Sequence, residues 1–109
     1  SYMKYKFFVF CPRDDKVIHD VITTAAEAGA GTIGNYTHCA FVIEGYGTWK
    51  SQPGANPTIG KIGELSKEKE VIVQMECPKE KIHDIVEAIK KVHPYEKIAI
   101  DAFALERFE

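Results

Sequence analysis

Nowhere in this chain does an apolar run exceed a few residues, so no segment is long enough to cross a bilayer as a helix. No apolar stretch with a small-residue cleavage site follows the N terminus either, and the expectation is a cytoplasmic protein without a membrane partner. Lys and Arg number 14 against 16 Asp and Glu, a formal charge of -2, which lacks the cationic excess that a phosphate backbone demands. Nucleic acid is therefore not an expected partner. The three cysteines, Cys11, Cys39 and Cys77, are odd in number and form no Cys-x-x-Cys pair, which excludes both a disulfide framework and a structural zinc site. They are expected to be reduced and largely buried. No glycine-rich segment has the form of a phosphate loop, and no serine or threonine sits in a nucleophile elbow.

What remains is an ordinary globular chain. Its 109 residues, 45% hydrophobic and 28% charged, are enough for one domain with a modest core and too few for two. A natural start at Met3, with Ser1 and Tyr2 as an expression remnant, gives a single domain over residues 3–109.

Lys4 to Cys11 is rich in Phe, Tyr and Val, and places Tyr5, Phe7, Val9 and Cys11 on one face of a first strand. Pro12 is suited to opening a helix, with Asp14 and Asp15 at the positive end of its dipole and Val17, Ile18, Val21, Ile22, Ala25 and Ala28 at helical spacing. Gly29 and Gly31 stop it. Strands are expected at Thr37–Ile43 and Val71–Met75, a second helix at Lys79–Val92 before Pro94, and a last strand at Ile98–Leu105.

Strand, helix, strand, strand, helix, strand is the ferredoxin-like βαββαβ order. It predicts an α+β fold with a four-stranded antiparallel sheet and both helices on one face. The halves echo each other: Cys11-Pro12 and Ile18-His19-Asp20 return as Cys77-Pro78 and Ile82-His83-Asp84, offset by 66 and 64 residues. Duplication and chance likeness of two helix starts both fit this echo. The helix-free sheet face would carry Phe8, Phe10, Ile72, Phe103 and Leu105, too much apolar surface to leave wet, so self-association is expected.

Chemistry is sought between the halves. From Ala28 to Gly63 only Glu44, Lys50 and Lys61 are charged, and Gly45 to Gly60 holds four glycines and two prolines in sixteen positions. An extended Gly/Pro loop over 45–60 is expected, serving either ligand binding or contacts between copies. A general acid or base needs a titratable group beside the reacting atom, and this loop offers almost none, so no catalytic residue is assigned. Backbone groups freed by Gly45, Gly47 and Gly54, with Thr48, Asn35, Asn56 and His38, are the candidate ligand contacts. His38, expected in the second strand, reads either as a hydrogen-bonded structural histidine or as a metal ligand. His93 and Glu96, at a helix end, are the other candidate ligands of a divalent metal ion. His19 and His83 read as partly exposed helix residues, and the pairs Asp14–Asp15 and Glu68–Glu70 as solvated surface.

Four segments taken in order carry a resemblance: Gly31-Thr32-Ile33-Gly34-Asn35-Tyr36-Thr37-His38-Cys39-Ala40-Phe41, Gly45-Tyr46-Gly47-Thr48-Trp49, Gly54-Ala55-Asn56-Pro57-Thr58-Ile59-Gly60, and His93-Pro94-Tyr95-Glu96 with Asp101. Over Lys4 to Leu105 the chain resembles the domain inserted into bacterial NIF-three-like proteins of the YqfO type, also labelled GTP cyclohydrolase type 2 homologues. The resemblance implies a PII/CutA-like fold that assembles as trimers. It also implies that the dinuclear metal centre of the full-length proteins lies in flanking halves; their His-x-x-His ligand motif is absent from this sequence. The reading that follows is a non-catalytic, oligomeric domain that binds a small ligand or metal ion, or regulates a separately encoded NIF-three-like metal-centre protein. A metal-dependent hydrolase or cyclohydrolase is the alternative that the family label alone suggests.

Overall fold

Alternation in the first segment becomes β1, Lys4–Pro12, where Phe7, Val9 and Cys11 are fully buried and Phe8 and Phe10 point to the opposite face. The computed structural model describes residues 3–108; the expected remnant Ser1–Tyr2 lies outside the described residues, as does Glu109. Pro12 closes β1 rather than opening the helix. The N-cap is Asp14, whose extended backbone lets its carboxylate accept from the N–H groups of Lys16 and Val17 at 2.9 and 3.1 Å. Helix α1 follows at Asp15–Glu27 and seats Val21 and Ala25 in the core.

The hairpin is where the structure departs most from expectation. β2 is Phe41–Lys50, not Thr37–Ile43, and β3 is Leu65–Pro78, extending the expected Val71–Met75 at both ends. Their antiparallel ladder runs from Phe41 opposite Gln74 to Lys50 opposite Leu65. The first six residues of the expected 45–60 loop are thus strand, and the true connection is 51–64. The reason is that backbone pairing, rather than apolar packing, holds this end. Ser66-Lys67-Glu68-Lys69 carries no hydrophobic alternation: its Lys67–Lys69 face is uncovered, its Ser66–Glu68 face is only half-buried, and Tyr46 and Leu65 remain 64% and 72% exposed.

A 3-10 turn at Lys79–Lys81 precedes α2, Ile82–Val92, which buries Ile85 and Ile89, and β4 is Ile100–Leu105, two residues shorter than expected. All neighbouring strands are antiparallel in the order β2-β3-β1-β4. Both helices pack on the face bearing Phe7, Val9, Val71, Val73 and Met75. This is the ferredoxin-like fold expected from the order of elements.

The echo between the halves has a structural counterpart. Tyr5 pairs with Cys77 and Cys11 with Val71, so a shift of 66 residues maps the β1–β3 ladder onto itself about the Phe8–Gln74 pair. Likewise Val21 and Ala25 of α1 and Ile85 and Ile89 of α2, the buried residues of each helix, stand 64 apart.

The helix-free face carries the expected apolar groups, in cross-strand rows: Phe41 and Gln74 beside Phe8, and Ile43 and Ile72 beside Phe10. Phe103 meets Phe8 edge-on at 5.6 Å yet stays 60% exposed. At one corner Glu76, 3% exposed, is paired with Lys4 at 3.5 Å and with Arg107 of the C-terminal segment.

Candidate functional site

At the Gly47–Trp49 end of that face the segment after α2 folds across the sheet. His93 is the pivot: its Nε2–H donates to the Phe10 carbonyl at 2.7 Å, and its Nδ1 accepts the Tyr95 N–H at 3.2 Å. A nitrogen that accepts from a backbone N–H carries no proton, so the neutral Nε2–H tautomer is assigned. Burial holds the imidazole pKa below its ordinary value, against the opposing effects of the Phe10 bond and the Glu70 charge.

Tyr95 is thereby aimed at β3, where its hydroxyl donates to Glu70 Oε2 at 2.8 Å. Burial and then Glu70 hold the phenol protonated far above the usual range. Glu70 is not the solvated carboxylate expected from the sequence: it is 9% exposed and lies over Gly47 of β2, where any Cβ would fall on its carboxylate. No basic side chain among the described residues forms an ion pair with it.

The 51–64 connection supplies the far wall. Both oxygens of Glu96 accept the Asn56 N–H, at 3.1 and 3.3 Å, and Thr58 Oγ1 donates to the Pro94 carbonyl at 3.1 Å. Between these stitched segments opens a cleft of about 470 Å³, floored by Phe10, Gly47 and Glu70 and walled by Trp49 and Tyr95, whose ring centroids are 6.2 Å apart. Its size suits a small molecule, its walls are mainly apolar, and its polar groups are few.

The expected ligand contacts divide between two ends of the sheet. Gly47 and Thr48 line the cleft, while Asn56 braces its wall through the backbone and Gly45 accepts from the Arg13 side chain. Gly54, at φ +100°, shapes the connection without lining the cleft. Asn35 and His38 lie elsewhere. They sit on an exposed excursion closed where Gly31 N–H donates to the Glu76 carbonyl and Cys39 N–H to the Gly31 carbonyl, both at 2.8 Å. Glu76 is six residues along β3 from Glu70, roughly 20 Å at 3.3 Å per residue. Gly34 and Asn35 form the turn between Ile33 and Tyr36, and His38, at φ +59°, is in coil rather than in β2, its Nδ1 3.0 Å from Thr37 Oγ1.

His38, His93 and Glu96 are consequently not brought together. Among the described residues no group of three His, Cys, Asp or Glu side chains is arranged to hold a metal ion. Cys11 and Cys77 are inert in this setting. Burial pushes their thiols up to about 12 and about 11, so neither supplies a thiolate at neutral pH. Glu70, Trp49 and Tyr95 are the site residues that sequence reasoning missed. The available signal was Glu70 itself, which stands at the open-face position of an alternation that continues into Ile72.

No helix of the described residues is long and apolar enough to cross a membrane. No family model matches the chain. A Bacillus subtilis protein named GTP cyclohydrolase 1 type 2 homolog is 39% identical over 102 residues, covering 94% of this chain and 27% of the relative. The Mycobacterium tuberculosis protein of the same name is 35% identical over 100 residues, 92% of this chain and 26% of its own. The chain thus spans about a quarter of the length of the curated relatives it matches. The crystal structure of a Bacillus cereus protein related to NIF3 matches with a TM-score of 0.82 at 33% identity, over 97% of this chain and 26% of that one. CutA1 from Pyrococcus horikoshii matches with a TM-score of 0.70 at 18% identity, over 96% of this chain and 86% of its own, a likeness of fold alone.

Proposed function

We propose that this chain, homologous to one segment of the NIF3-related GTP cyclohydrolase 1 type 2 homologs and sharing the CutA1 fold, is a self-associating, non-catalytic binding domain whose ligand sits in the Glu70–Tyr95 cleft. The observation that carries this reading is the cleft itself. Two segments far apart in sequence are hydrogen-bonded together around an apolar space whose one buried carboxylate, Glu70, has no ion-pair partner among the described residues. Nothing in the packing of the domain requires such a space, since the core lies on the other face of the sheet.

Self-association is supported by the uncovered face and by β2, an edge strand with both faces exposed over much of its length. We read the assembly as a trimer of cytoplasmic chains, in keeping with buried free thiols, and a separate NIF3-related protein as the partner it would regulate. The relatives' name refers to a cyclohydrolase, but this chain spans only about a quarter of them and we assign it no turnover.

The test is titration of the protein with a panel of nucleotides, divalent metal salts and small organic ions, followed by amide NMR. Saturable shifts at Gly47–Trp49, Ala55–Ile59 and Tyr95–Lys97 are expected from at least one class. A panel that leaves all of these unmoved would remove the binding role and leave assembly alone.

A further inference from the structure

The chemistry of the cleft narrows its ligand. Of its fourteen lining residues only Glu70, Glu96 and Lys97 carry charge, so the walls sum to a negative site. Glu96 is occupied with the Asn56 N–H and is exposed, and Lys97 forms no ion pair among the described residues. Glu70 is different. Its Oε2 takes the Tyr95 hydroxyl, while Oε1, poised over Gly47, has no hydrogen-bond donor among the described side chains. Removing a carboxylate from water beside apolar walls is costly unless a cation or further donors compensate it.

The groups around this carboxylate are aromatic. Trp49 and Tyr95 present tilted rings 6.2 Å apart, and Phe10 closes the floor. Ring faces attract a cation within about 6 Å of their centroids and do nothing for an anion. A phosphate or nucleoside triphosphate would meet instead two carboxylates, Glu70 and Glu96, with the exposed Lys97 as the one basic side chain in the lining.

From these observations we infer that the cleft selects a small organic cation of the ammonium type, its charge set against Glu70 and its alkyl groups against Trp49 and Tyr95. This rests on the cleft being a ligand site, as proposed above, and adds the class of ligand. Tyr95 acts as a positioning residue. Its hydroxyl, kept protonated, holds Oε2 and leaves Oε1, beside Gly47, as the carboxylate oxygen without a side-chain donor. Gly47 permits the arrangement because a side chain there would displace the carboxylate.

Trp49 is the sole tryptophan, so its fluorescence reports on the site directly. Tetramethylammonium chloride and n-butylammonium chloride are titrated into the full chain, with sodium chloride at matched ionic strength as reference. A saturable change in Trp49 emission beyond the sodium reference is expected, with the Gly47, Thr48 and Tyr95 amides moving in parallel. Glu70→Gln should weaken binding about tenfold or more, whereas Glu87→Gln, the same charge change on the exposed side of α2, should leave it within about threefold. If Glu70→Gln fails to fold by circular dichroism, Trp49→Leu read by NMR takes its place and should weaken binding similarly. Equal weakening by Glu87→Gln would reduce the effect to general charge attraction and overturn the inference. Cleft amides that respond to nucleotides or metal salts but to neither ammonium probe would overturn it while leaving the binding role intact. If nothing in either set moves them, the site reading fails first.

Discussion

His93 shows how one buried side chain converts sequence-distant segments into a site. Held neutral between the Phe10 carbonyl and the Tyr95 N–H, it cannot take a second proton without losing the latter bond. Its folded pKa lies below the ordinary 6.5. Above 6.5 both folded and unfolded chains hold it neutral, and it contributes no pH dependence. As pH falls below 6.5 the unfolded chain gains a proton first, so stability is lost down to the depressed folded value and levels off beneath it. Urea unfolding of the protein and of His93→Gln at intervals from pH 7 downward should differ in slope across that window, by up to about 1.4 kcal/mol per pH unit. Parallel profiles would dismiss the assignment. Glycines separate by surroundings in the same way. A Cβ at Gly31, φ +77°, would stand 2.8 Å from Met75 Cε and 3.0 Å from the Cys39 backbone, whereas one at Gly45 would meet nothing. Gly31→Ala should cost about 2 kcal/mol in chemical denaturation, and Gly45→Ala less than about 0.5 kcal/mol.

Among elements, the helices and β1 were readable because each buries one face. Val17, Val21 and Ala25 follow the helical period, and Phe7, Val9 and Cys11 follow the strand period. The β2–β3 hairpin was not, because its outer half leaves one face bare and half-buries mainly polar side chains on the other, and so leaves no hydrophobic period. Lys67 over the Tyr46 ring at 4.3 Å is typical of what orders it. The 51–64 connection is tied at its middle by the hydrogen bonds of Glu96 to the Asn56 N–H and of Thr58 to the Pro94 carbonyl. Glu96→Ala should therefore abolish hydrogen-exchange protection of the Asn56 amide while shifting the global melting temperature by no more than about 2 °C. Loss of protection spreading through β2 and β3 would mean that the hairpin also depends on this contact.

For the molecule as a whole, the helices cover one side of the sheet and no described element covers most of the other. Phe41, Ile43, Ile72, Phe8 and Phe103 share that side, and the hairpin stretches the molecule to 47 Å along one axis against 24 Å across. A face of this kind is expected to be closed by further copies. Sedimentation should give a mass that is a multiple of 12.3 kDa, and Ile43→Glu should shift it towards the single chain without loss of helical circular dichroism. A monodisperse 12.3 kDa species for the unaltered protein would end the self-association reading.

The order of elements, the handedness and layering that follow from it, and the residues of β1, α1, β3 and α2 that meet in the core are legible in the pattern of side chains along the chain. Burial on one face imprints a period that can be read without coordinates. The same pattern marks the charge-poor region around 28–63 as unusual. Folding alone buries Glu70, expected as solvated surface, in the floor of a cleft, and carries Asn35 and His38 to the opposite end of the sheet. Those placements depend on the β2–β3 register and on His93 folding its segment back onto Phe10. One is a strand ladder and the other a single imidazole-to-carbonyl hydrogen bond between residues 83 apart, and neither leaves a local side-chain pattern.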